Sequence, residues 1–167
     1  MSRPDIALLT IGAFGFDEEG FFDALLRAEV DTFCDIRQRR GVRGAKFAFV
    51  NSKRLQFRLI ELGIRYVHLK ALAPTEHVRN TQKRADASTK VAKRQRVSLH
   101  PEFVAAYRAQ CLDNTTPNAI LDLLPSDSRR VVLFCVEDAP SACHRSLAAD
   151  WLSSHTARGI EHIRPDR

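Results

Sequence analysis

No apolar run in the 167-residue chain approaches the roughly 18 residues that a membrane-crossing helix needs, and the mean hydropathy of -0.25 is that of a water-facing protein. Glycine and proline are scarce, seven of each, which excludes a collagen-like repeat and argues against a Pro/Gly-rich disordered chain. Cysteine is limited to Cys34, Cys111, Cys135 and Cys143. A chain of this length buries roughly 70% of its unfolded surface without staples, so these four are expected as reduced thiols rather than a disulfide framework. Met1 to Asp5 leads into a short apolar stretch, Ile6 to Ile11, with no small-residue cleavage site. A cytoplasmic protein without a signal peptide and without a membrane partner is therefore expected.

What is present is a regular alternation of strand and helix signals. Ile6–Ile11 reads as a strand ending at Gly12. Asp17 is a natural N-cap, with Glu18 and Glu19 favoured by the dipole of a helix that repeats Phe21, Phe22, Leu25 and Leu26. Val30–Ile36 is a second strand. Ser52 is expected to cap a helix striped by Leu55, Leu59 and Leu62 and stopped by a left-handed Gly63, before a third strand at Ile64–His68. Pro101 suits the first turn of a helix through Phe103, Val104, Tyr107 and Cys111, and Asn118–Leu124 reads as a short further helix. Arg130–Cys135 is the strongest strand signal, a continuous apolar run typical of a central parallel strand. A helix from about Cys143 through Trp151 and a fifth strand at Ile160–Ile163 follow. The pattern predicts a single three-layer α/β domain spanning residues 1–167, with about five mostly parallel strands flanked by helices. Leu72–Ser98, polar and without apolar periodicity, is expected to be a mobile basic loop that orders on an anionic polymer; Lys83–Arg96 is rich in helix formers, but Ser88, Thr89 and like-charge crowding make an isolated helix there marginal.

Charge is unevenly placed. The formal net charge is +6, yet residues 36–60 hold eight cations and no acid, and residues 79–96 hold seven cations against Asp86 alone. Fifteen of the 26 basic residues thus lie in two segments, as expected where a protein meets phosphates. Arg39, Arg40, Arg43, Lys46, Lys53, Arg54, Lys83, Arg84, Lys93, Arg94 and Arg96 are the candidate nucleic-acid contacts. A basic but merely solvated surface is the competing reading. Phe47 and Phe49, interleaved with these cations, serve either as stacking platforms for bases or as core residues tucking the loop onto the domain.

In open α/β sheets ligands bind beyond the carboxyl ends of the strands, and polar residues recur there: Thr10 and Gly12, Asp35 and Arg37, Tyr66 and His68, Cys135 and Glu137, His162. Arg37 and Arg145 are candidates for clamping an anion, assisted by His144, Thr10, Gly12 and the backbone N–H groups of the helix opening at Ser141–Arg145. Cys143 at that helix start, beside Arg145, is the better candidate nucleophile, with Cys135 in the same catalytic group. Glu137 is the candidate general acid or base, and Asp35 is expected to orient Arg37 or a substrate hydroxyl. A metal set of Cys135, Cys143, His144 and His162 competes, but its Cys-X7-Cys-His spacing lacks the short Cys-X2–4-Cys hook of structural zinc. No metal and no particular cofactor is assigned.

Thr10-Ile11-Gly12, Asp35-Ile36-Arg37, Gly63 to Leu69, and above all Cys135-Val136-Glu137 followed by Cys143-His144-Arg145 resemble the domain of unknown function 488 family. The resemblance implies a compact α/β domain with these residues lining one site, and it implies no activity. The layout is also similar in topology to rhodanese and low-molecular-weight phosphatase domains, although Cys135 precedes Arg145 by ten residues rather than about six.

Three function classes remain open. An enzyme acting on a phosphate-bearing substrate, a nucleotide or nucleic acid, accounts for both the crevice and the basic segments. A non-catalytic nucleic-acid-binding module accounts for the charge alone. A metal or redox thiol protein accounts for the cysteines alone.

Overall fold

The computed structural model describes residues 2–90, 97–157 and 159–166. Five strands, β1 (Ala7–Ile11), β2 (Thr32–Asp35), β3 (Arg65–His68), β4 (Arg130–Phe134) and β5 (Ile160–Ile163), form one sheet in the order β3-β2-β4-β1-β5. Every pairing is parallel, with Leu133 opposite Thr10 on one side and Cys34 on the other. The apolar run of β4 lies at the centre, as its composition predicts.

Because strand side chains alternate between faces, each strand feeds two cores. Leu9, Ile11, Phe33, Val132 and Phe134 face α1 (Glu18–Arg27) and α2 (Ser52–Glu61). Leu8, Cys34, Val131 and Leu133 face α3 (Glu76–Thr89), α4 (Pro101–Gln110), α5 (Pro117–Leu121) and α6 (His144–Ser153). The result is the expected three-layer α/β arrangement. Phe21 centres the first core, its ring within 6.3 Å of those of Phe16, Phe22, Phe33, Phe49 and Phe134. Phe47 and Phe49 are 2% exposed, so both belong to this core and neither is a base-stacking platform.

Local signals largely hold. The Asp17 carboxylate accepts the Gly20 amide at 2.7 Å, and Gly63 ends α2 at φ +71°. Ser52 is not the cap of α2: Asn51 takes that position, and its side-chain oxygen accepts from the Val42 amide at 2.6 Å. The polar segment Leu72–Ser98 departs most from expectation. Its first half folds into α3, capped by Thr75 and anchored by buried Val78, Thr81 and Gln82. A single valine at the right turn, with two polar residues satisfied locally, seats this helix where a count of apolar residues misses it. Gln82 donates to Asp86 at 2.8 Å and accepts from the His100 amide at 2.8 Å, tying α3 to the start of α4. No helix among the described residues is long and apolar enough to cross a membrane.

Candidate functional site

The helices after β1 and β2 cover one face of the sheet, whereas α6, after β4, covers the other. The chain parts at the carboxyl end of β4, where open α/β sheets bind ligands. Three loops are stitched together there. Ile36 N–H donates to the Phe134 carbonyl at 3.2 Å, and the amides of Ala13 and Phe14 both donate to the Val136 carbonyl, at 3.1 and 2.8 Å. Beside them opens a cavity of about 480 Å³, within the roughly 300–1,000 Å³ usual for small-molecule sites.

Its floor is the β4–α6 connection: Cys135, Val136, Glu137, Ala142, Cys143 and His144. One wall is the β2–α2 loop, which contributes Arg37, Arg39 and Arg43; the other is α3, which contributes Arg79, Gln82, Lys83 and Asp86 at helical spacing. Phe14, Val42, Leu99 and Phe103 add apolar surface. Arg79 is the cation that the sequence reading missed. Its spacing to Gln82, Lys83 and Asp86 is the one-face pattern of a helix, a signal hidden by reading the segment as a loop.

Asp35 and Arg37 form a buried ion pair, 0% and 4% exposed. Arg37 Nε and Nη2 donate to the two carboxylate oxygens at 2.9 and 2.8 Å, the Arg37 amide adds a third bond at 3.1 Å, and Tyr66 O–H a fourth at 2.7 Å. Burial, with Asp35 beside it, pushes the Tyr66 hydroxyl up to about 12. Arg37 Nη2 also donates to the Val50 carbonyl at 2.9 Å, and the guanidinium stacks 4.7 Å above the Phe134 ring. Asp35 therefore does not line the cavity; it orients Arg37, whose Nη1 is buried without a hydrogen-bond partner among the described residues.

Arg145, fully buried, does not join Arg37 as a second clamp. Its Nη1 donates to the Glu137 carbonyl and its Nη2 to the Asp138 carbonyl at 2.9 Å, so it holds the β4–α6 loop in shape. Gly12 serves the same packing, since a Cβ there would run into the Glu137 carbonyl and crowd the Arg145 guanidinium. Thr10 is likewise not at the cavity, and its hydroxyl meets His162 Nδ1 across β1 and β5 at 2.6 Å. These residues follow strand ends as the sequence indicates, but their side chains are spent on the scaffold.

The floor itself is chemically dense. Cys135 Sγ donates to Glu137 Oε2 at 3.1 Å, and burial raises the Cys135 thiol well above its ordinary range. His144 Nε2 lies 2.8 Å from the Ile36 carbonyl, which can only accept, so Nε2 carries the proton. Nδ1 then faces Cys143 Sγ, 3.8 Å away. Cys143 caps α6, accepting the Arg145 amide at 3.5 Å. Edge-on to the imidazole, 5.4 Å between centroids, sits the ring of Tyr107, whose hydroxyl donates to the Leu72 carbonyl at 2.7 Å.

Of the candidate nucleic-acid contacts, Arg39, Arg43 and Lys83 line the cavity. Arg40, Lys46, Lys53, Arg54 and Arg84 do not: Arg40 reaches the Tyr66 hydroxyl at 3.4 Å, Lys46 sits over the Phe47 ring, and Arg54 pairs with Glu18 at 2.7 Å. Lys93, Arg94 and Arg96 lie outside the described residues.

The sequence profile described as domain of unknown function DUF488 matches residues 18–152, most of the chain and all of the cavity except Phe14. The protein belongs to this family. The DUF488 match takes in Asp35-Ile36-Arg37 and the whole span from Cys135 to Arg145, the segments that form the wall and floor of the cavity. No curated protein and no solved structure matches the chain.

Proposed function

We propose that this DUF488 protein is an enzyme acting on a phosphate-bearing substrate, a nucleotide or a nucleotide unit of a nucleic acid, held in the cavity at the end of β4. The observation that supports this most is the convergence of Arg37, Arg39 and Arg43 from one segment with Arg79 and Lys83 from another on a single cavity. Buried donors are nearly always paired, so the unpartnered Nη1 of Arg37 and Nε of Arg79 are natural partners for phosphate oxygens. The apolar surface of Phe14, Val42 and Phe103 suits a base or sugar. Glu137, which lines the floor and accepts from Cys135 at 3.1 Å, is the acid–base group in this reading.

The test is a calorimetric titration of nucleotides, followed by a turnover screen with those that bind. Replacing Arg79 and Lys83 with Ala removes two charge-assisted contacts, each worth about 1.5–3 kcal/mol, so affinity falls at least tenfold per site. Glu137→Gln keeps binding and loses turnover. Tight, strongly salt-dependent binding of nucleic acid that ignores both changes overturns the enzyme reading and leaves a binding module.

A further inference from the structure

We propose that Cys135, Cys143 and His144 hold a zinc ion in the floor of the cavity, with its fourth coordination position open to the bound substrate. Their two Sγ atoms and one imidazole nitrogen all lie within 4.8 Å of one another, and Cys143 Sγ is 3.8 Å from His144 Nδ1. Zinc bonds of about 2.3 Å to sulfur and 2.0–2.1 Å to nitrogen, at tetrahedral angles, place such atoms about 3.6–3.8 Å apart. The cluster needs to close by no more than about 1 Å to reach that geometry.

The surroundings are those of a ligand set rather than of inert core thiols. The ring proton of His144 is fixed on Nε2 by the Ile36 carbonyl, which leaves Nδ1 as the ligand atom, the arrangement that metal-bound histidines use. Tyr107 bears on the edge of the same ring. Cys143 Sγ already accepts the Arg145 amide at 3.5 Å as the cap of α6. Two sulfurs and an imidazole suit zinc above the harder divalent cations. Binding displaces one proton from each thiol to solvent, including the one Cys135 shares with Glu137, and the two thiolates offset the charge of one Zn²⁺ where either thiolate alone would be costly. Three protein ligands leave one position, and all three residues line the cavity. That position therefore faces the space proposed for the phosphate, and the inference rests on that reading only for what occupies it. His162, engaged with Thr10, is not part of the set. The short cysteine hook is unnecessary because Cys135 at the end of β4 and Cys143 at the cap of α6 are brought together by the loop that Arg145 holds.

The experiment uses the full chain, purified reduced and without chelator, for zinc content and for Co²⁺ substitution. One zinc per chain is expected, and the cobalt-loaded protein shows a thiolate-to-cobalt charge-transfer band with intense tetrahedral d–d bands. Wild-type protein with reduced thiols that takes up cobalt without a thiolate band, or takes up none, overturns the proposal with no variant needed. Cys135→Ser and Cys143→Ser, each checked for folding by circular dichroism, weaken the band; a folded variant that keeps it at full strength overturns the ligand assignment. Inorganic phosphate added to the cobalt protein shifts the d–d bands, and bands that do not move overturn the open position. Calorimetry with nucleotides on the same samples separates the two claims. A thiolate–cobalt band without nucleotide binding sinks the proposed function and leaves the zinc site standing; nucleotide binding without the band does the reverse.

Discussion

Asp35→Asn tests how the Arg37 wall of the cavity is built. The change keeps the shape of the side chain and deletes its charge. The carboxylate accepts from the Arg37 amide, Nε and Nη2 and from Tyr66 O–H, at 2.7–3.1 Å. An amide has one accepting oxygen, so on one side two donors face an N–H₂ group instead. Losing two charge-assisted bonds at about 1.5–3 kcal/mol each gives about 3–6 kcal/mol. Leaving the 4%-exposed Arg37 charge without its counterion gives about 3–5 kcal/mol by an independent route. These describe one loss seen twice, so about 4 kcal/mol is expected from a total of about 5–15 kcal/mol. Urea unfolding followed by Trp151 fluorescence and circular dichroism measures it. The midpoint falls by about 2 M with the slope unchanged. Asp35→Leu combined with Arg37→Met recovers part of the stability, because it removes both buried charges while the Tyr66 hydroxyl and the Val50 carbonyl lose their partners. A loss under about 1 kcal/mol for Asp35→Asn would refute the view that this pair is dry and mutually dependent.

Three further outcomes follow from the packing around the cavity. Gly12→Ala drives a methyl group into the Glu137 carbonyl, and a destabilisation of about 1–3 kcal/mol in thermal or urea melts is expected; unchanged stability would show that the β1 and β4 loops do not touch. Tyr107→Phe strands the buried Leu72 carbonyl and costs about 1–3 kcal/mol in the same assay, with a wild-type melt as the contrary result. Partial desolvation at the sheet edge and the charge of Arg145 depress the His162 imidazole, Asp150 opposes them and Arg164 adds to them. A depressed histidine contributes stability above its unfolded value of about 6.5 that is lost as pH falls through the folded value. Melting temperatures of wild type and His162→Gln should therefore diverge in slope below about pH 6.5, the variant losing less, and parallel profiles would count against this.

Much of the architecture is legible in the chain because it rests on local rules. Period-two and helical apolar spacing, Asp17 as cap, Gly63 as stop and the continuous run of Arg130–Phe134 identify five strands and their helices without reference to anything distant. The parallel sheet follows, because helices between successive strands carry the chain back to the same end. Strand ends also locate the site, since polar residues after β2 and β4 must emerge on one edge. What those residues do there is another matter. Arg145 and Arg37 are alike in sequence context, both arginines just past a strand or at a helix start, yet Arg145 is spent on two loop carbonyls away from the cavity whereas Arg37 lines it. Thr10 turns to β5, Gly12 yields its space to a backbone carbonyl, and Asp35 is covered by its partner arginine. Arg79 enters the site because α3 is seated by Val78 and Gln82 against residues far along the chain. Sequence alone determines the alternation of elements and the edge on which chemistry gathers, because both depend on near neighbours. Tertiary structure decides which side chains remain available for a ligand, because each hydrogen bond that removes one is made to a group on another strand or loop whose position depends on how they pack together.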